Sequence, residues 1–121
     1  MSASPATLAR LARGMLDDPS PPTRGLWARS AALLARQALE GAIREHFLAH
    51  APAVVAAPFS TQLVCLREYT SATDTAARAA GTWAALSDAC HHRGYGAPPT
   101  ASELRGWLAN VDEVLIALGA A

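Results

Sequence analysis

The densest run of chemically capable side chains is Asp88-Ala89-Cys90-His91-His92-Arg93-Gly94-Tyr95. Two adjacent imidazoles can move protons near neutral pH, because the ordinary histidine pKa lies there. The Arg93 guanidinium is a planar fork that can donate two parallel hydrogen bonds to a phosphate. Tyr95 can donate to a phosphate or stack on a base. Asp88 can orient a histidine or repel a phosphate. These are ingredients of metal-independent RNA cleavage, which needs the ribose 2′-hydroxyl deprotonated, the leaving oxygen protonated and the charged phosphorane stabilised. The candidate catalytic residues are therefore His92, His91, Arg93 and Asp88, and the candidate binding residues are Tyr95 and Arg93. A plainer account stands beside this one. His91-His92-Arg93 can be the cationic end of a helix, where positive charge meets the negative pole of the macrodipole, with Gly94 and Gly96 as helix-stop residues.

Other spacings suggest chemistry less strongly. His46 and His50 are four residues apart and share a helical face, which is ligand-capable spacing. The sequence has no HExxH and no CxxC, and Glu45 points away from its neighbour. No metal and no cofactor are expected, with His46 and His50 as the alternative metal pair. Arg44 and His50 match an Arg-x5-His pattern, but such short patterns recur by chance. Six residues along a helix turn the two side chains about 120° apart, so they do not converge. Cys65 and Cys90 fall inside helical patterns and read as small hydrophobes, and two cysteines make no disulfide framework. Trp27, Trp83 and Trp107 sit in separate apolar stripes and read as core.

The elements that must hold these groups are helices. Hydrophobic residues make up 51% of the 121 residues, and much of that is alanine, which loses no side-chain entropy in a helix. No stretch alternates apolar and polar residues as a strand would. Ser4-Pro5 starts a short first helix, which Asp17-Asp18-Pro19 ends. Thr23 can cap a long second helix that runs to about His50 and is closed by Pro52. Its apolar positions include Leu26, Trp27, Leu33, Leu34, Leu39, Ile43, Phe47 and Leu48, and Glu40 and Arg44 can pair at i,i+4 on its exposed side. Residues 53–59 read as an apolar turn or loop. Ser60 then caps a short third helix carrying Leu63, Leu66 and Tyr69. A break is expected at residues 70–74, whose side chains compete for the backbone. A fourth helix follows to about His91, with Ala77, Ala80, Trp83, Ala84 and Leu86 inward. After a loop at 92–99, Thr100 and Glu103 fit a capping box. Leu104, Trp107, Leu108, Val111, Val114, Leu115 and Leu118 then form an apolar stripe that Gly119 ends.

The expected architecture is all-α: an antiparallel helical bundle of four principal helices plus a short N-terminal helix, in one domain spanning 1–121. Ten basic residues, all arginine, balance ten acidic ones. A net charge of zero argues against a broad electrostatic footprint for nucleic acid, though a local basic cleft fits. No stretch reaches the length of a membrane span, and no signal peptide is visible, so no membrane association and a cytoplasmic location are expected.

The run Arg29-Ser30-Ala31-Ala32-Leu33-Leu34-Ala35-Arg36-Gln37-Ala38-Leu39-Glu40 resembles the early helix of HEPN domains, in which small residues, an arginine and a QALE-like run recur. The likeness covers about residues 23–118. It implies a HEPN-like bundle that forms homodimers. It further implies a metal-independent endoribonuclease or a binding module for RNA or a protein partner, such as a cognate antitoxin in a toxin–antitoxin or defence system. Active members carry Arg, four to six residues, then His, often followed by Tyr, near the helix before the last. Aligned on Tyr95, the family's arginine falls on Asp88 and its histidine on Arg93. Aligned on His92, the arginine falls on Ser87. The position and the tyrosine fit, and the catalytic pair is altered. An active enzyme would have to use His91 or His92 with Arg93.

Overall fold

The computed structural model describes residues 3–18, 26–70, 73–91 and 97–121. They form the helices α1 (Pro5–Asp17), α2 (Trp27–His50), α3 (Phe59–Leu66), α4 (Thr73–Cys90) and α5 (Ala101–Ala117), with a 3-10 turn at Pro52–Ala56 between α2 and α3. The described residues include no strand. None of the described helices is long and apolar enough to cross a membrane.

The termini follow local chemistry. Ser4 Oγ accepts the Thr7 amide at 3.2 Å, with Pro5 in the first turn of α1. Thr100 Oγ1 accepts the Glu103 amide at 3.1 Å, and Glu103 Oε1 accepts the Thr100 amide at 3.0 Å. This reciprocal box satisfies two of the donors a helix start leaves open. Gly119 ends α5 at φ 73°. Its amide reaches Ile116 O at 3.1 Å and the Ala120 amide reaches Leu115 O at 2.8 Å, the pair of bonds that a left-handed glycine makes possible.

Helix α2 is the centre. It packs against α1, α4, α5, α3 and the 3-10 turn. Six alanines on it are buried, together with Leu39, Ile43 and Phe47. Small side chains let neighbouring helices come close. At Gly41 a Cβ would lie 3.3 Å from Pro5 Cγ, so the start of α1 rests almost on the α2 backbone. Leu66, Leu86, Leu104, Leu108, Val111, Val114 and Leu115 complete the fully buried large side chains. Trp27, Trp83 and Trp107 are half-buried against this core.

Several expectations shift. On α4 the inward alanines are Ala76 and Ala79, with Thr75, Thr82 and Leu86, whereas Ala77, Ala80 and Ala84 face out. With alanine on every side of the helix, composition carries no contrast to set its phase. Helix α3 starts at Phe59 after Pro58, not at a Ser60 cap. Buried Gln62 instead ties down the chain before it, donating from Nε2 to Ala57 O at 3.1 Å and Val55 O at 3.3 Å. Leu26, Leu33 and Leu48 of the α2 pattern are 62%, 39% and 50% exposed. Glu40 does not wait for Arg44. Its Oε2 accepts Trp83 Nε1–H at 3.0 Å and lies 3.9 Å from Arg36 Nε. The Thr23 cap lies outside the described residues.

Candidate functional site

The C-terminal end of α4 meets the first half of α2 and the start of α5, and two adjoining grooves form there. The larger, of about 490 Å³, has Arg29 of α2, Asp88 and His91 at the end of α4, and Glu103 and Trp107 of α5 around a wall of alanines and Pro98-Pro99. The smaller, of about 300 Å³, follows the α2–α4 seam and is lined by Arg29, Ser30, Leu33, Arg36, Cys90 and His91. Arg29 and His91 line both grooves. Capping and helix phase put them there. His91 follows the last turn of α4, its amide shared between Ser87 O and Asp88 O, both at 3.3 Å. Arg29 and Arg36 are seven residues apart, hence on neighbouring lines of one α2 face.

The charges of the two grooves differ. The larger mixes Arg29 with Asp88 and Glu103, although Glu103 is already committed to its capping box. Among the described residues no carboxylate lines the smaller one. Arg36 Nε is buried and, among the described residues, has no hydrogen-bond partner, and the same holds for Ser87 Oγ on the facing helix. Burial pushes the Cys90 thiol up from its ordinary value, with the Arg36 guanidinium pulling it down and Glu40 adding to the rise. Cys90 is thus held as a neutral thiol, the opposite of what a nucleophile or metal ligand requires.

Of the residues singled out from sequence, Asp88 and His91 come together in the larger groove. His92, Arg93 and Tyr95 lie outside the described residues. The His46 and His50 rings meet at a tilt, with centroids 4.6 Å apart, and His46 Nε2 lies 2.6 Å from Tyr69 O. Among the described residues no three His, Cys, Asp or Glu side chains gather as metal ligands. Sequence reasoning missed Arg29, Arg36 and Trp107 as groove residues. The arginines carry a signal in their spacing of seven, which repeats every two turns, but in the sequence they stand only within the HEPN-like run 29–40.

The arrangement offers two guanidiniums, one imidazole and an aromatic edge on an open, partly apolar surface. No family model, curated protein or solved structure matches this chain.

Proposed function

We propose that the chain is a HEPN-like antiparallel bundle, a binding module that takes single-stranded RNA in the α2–α4–α5 groove without cleaving it. The observation that carries this reading is the convergence of Arg29 and His91 on both grooves, with Trp107 in the wall of the larger one. A guanidinium can fork onto phosphate oxygens, and an indole at the groove edge can stack on an unpaired base. The altered Arg-His spacing at 88–93 supports binding over cleavage, because the groove then holds one described imidazole beside Asp88. The resemblance implies a toxin–antitoxin or defence setting. The test is RNA incubated with pure protein at neutral pH in EDTA. Retention of RNA on the protein with no new fragments is expected. Fragments that vanish in His91→Ala or His92→Ala would make it an endoribonuclease instead.

A second reading has its own observation. Leu26, Leu33 and Leu48 are exposed and fall within about 60° of one another around α2. A stripe of this kind is a protein-contact surface, suited to a second copy of the chain or a protein partner. Light scattering of wild type against Leu33→Glu tests it: a dimer reduced to monomer supports the contact, and a wild-type monomer removes its homodimer form.

A further inference from the structure

Each of four grooves described in the molecule has at least one carboxylate in its wall: Asp74 and Glu113, Asp88 and Glu103, Glu40, or Asp112. The α2–α4 seam is different. Its lining brings two guanidiniums, a serine hydroxyl and an imidazole together, with no acid among them. In a chain whose formal net charge is zero, a groove whose described lining carries cations and no acid stands apart from these four. We infer that the seam pocket formed by Arg29, Ser30, Arg36 and His91 is a phosphate-binding site, set apart from the larger groove by Ser30 and Arg36.

Several observations bear on the charge balance. Glu40 is the nearest acid the structure records for Arg36, at 3.9 Å from Nε, and it also accepts the shorter Trp83 hydrogen bond. The ion pair therefore neutralises Arg36 incompletely. Arg36 Nε is buried with a donor hydrogen that nothing among the described residues accepts, an arrangement that costs free energy unless an acceptor arrives. Asp88 stands beside Arg29 in the adjoining groove, and the end of α4 adds partial negative charge worth about half an elementary charge, so both guanidiniums are partly offset and it is the acid-free described lining of the seam that distinguishes it. Ser30 adds a hydroxyl donor, and His91 adds a second N–H when protonated. A phosphate has the acceptors to meet these donors, and a forked guanidinium matches its oxygens. The cavity of about 300 Å³ leaves room for the group attached to the phosphate, so the phosphate can be free or can belong to a nucleotide or an RNA end.

The inference shares Arg29 and His91 with the RNA reading but is tested separately, by thermal unfolding of the full chain in inorganic phosphate against chloride at matched ionic strength. A ligand that binds only the folded chain raises the midpoint with its concentration. Phosphate should raise it and chloride should not, and the rise should be lost in Arg36→Gln and in Ser30→Ala with Arg29→Gln, while Arg44→Gln on the exposed side of α2 keeps it. Circular dichroism checks that each variant is folded, and the second variant keeps the test open if Arg36→Gln does not fold. Removing one charge-assisted partner should weaken phosphate binding about tenfold or more. No phosphate-specific rise in wild type, or an equal rise in folded Arg36→Gln and in the double variant, overturns the site. Oligonucleotides with a 5′-phosphate and a 5′-hydroxyl then identify the source. Tighter binding of the phosphorylated form, lost in Arg36→Gln, assigns an RNA end; equal binding of the two, with the inorganic phosphate rise intact, assigns a free phosphate compound. If neither oligonucleotide binds while phosphate does, the RNA reading fails and the phosphate site stands.

Discussion

Glu40 joins α2 to α4 by accepting the Trp83 indole N–H. Replacing Trp83 with Phe removes the donor while keeping most of the ring, and leaves a half-buried carboxylate short of a partner. The expected loss is about 1–2 kcal/mol of unfolding free energy in urea titrations; an unchanged midpoint would mean that the bond contributes nothing. Helical spacing offered Glu40 the partner Arg44 and could not name Trp83, because that partner is 43 residues away and is brought near only by packing. Cys90 carries a pH dependence of definite sign. Its folded-state pKa is raised, first by burial. The stability it contributes is thus complete below the ordinary thiol value and is lost as pH climbs through that value toward the raised one, because the unfolded chain ionises first. In a Cys65→Ser background, Cys90 should react with a thiol reagent more slowly than a free thiol at neutral pH, with a rate profile displaced to higher pH. A profile at the ordinary thiol position would contradict that placement.

At the scale of the element, the ends of α1 and α5 were legible, the start of α3 was not, and the helix faces were less so. Ser4, the Thr100–Glu103 box and Gly119 act where sequence chemistry puts them, because a cap needs only its own neighbours. Thr100→Ala should cost about 1 kcal/mol. Gly119→Ala should cost about 1–2 kcal/mol, since φ 73° is strained for a residue with a Cβ. Both can be read from thermal midpoints. The phase of α4 was not legible, because Ala76, Ala77, Ala79 and Ala80 look alike until the neighbouring helices choose among them. That choice predicts a contrast. Ala79→Leu forces extra volume into a fully buried position and should destabilise by about 1–3 kcal/mol, whereas Ala80→Leu on the exposed side should stay within about 0.5 kcal/mol. Equal effects would place the helix in another rotation. The candidate site divides the same way. Asp88 and His91 stand out as types in a dense local run, but Arg29 and Trp107 join them only through the meeting of three helices.

Across the whole molecule, charge is spent mainly on joining helices. Arg13 pairs with Asp112 and Arg105 with Asp17 between α1 and α5, and Arg78 pairs with Glu113 between α4 and α5. Exposed pairs of this kind contribute little each, and among the described residues they occupy Arg13, Arg78 and Arg105. Arg29 and Arg36, beside His91, are the described concentration that faces a groove without an acid in its wall. RNA binding through two or three cations should depend only shallowly on salt, with a slope of about −1 to −2 in log K against log salt. A much steeper slope would require a broad basic face that the zero net charge does not supply. The central claim is that the groove between α2, α4 and α5 is a binding surface. The most direct measurement is a titration of ¹⁵N-labelled chain with a short single-stranded RNA, following backbone amides and the three indole N–H signals. Shifts concentrated at Arg29, His91 and the Trp107 indole, with the Trp83 indole and the 3-10 turn at 52–56 unmoved, are the predicted result. Shifts confined to residues outside both grooves, such as the Leu48 end of α2, or no saturable shifts at all, would contradict it.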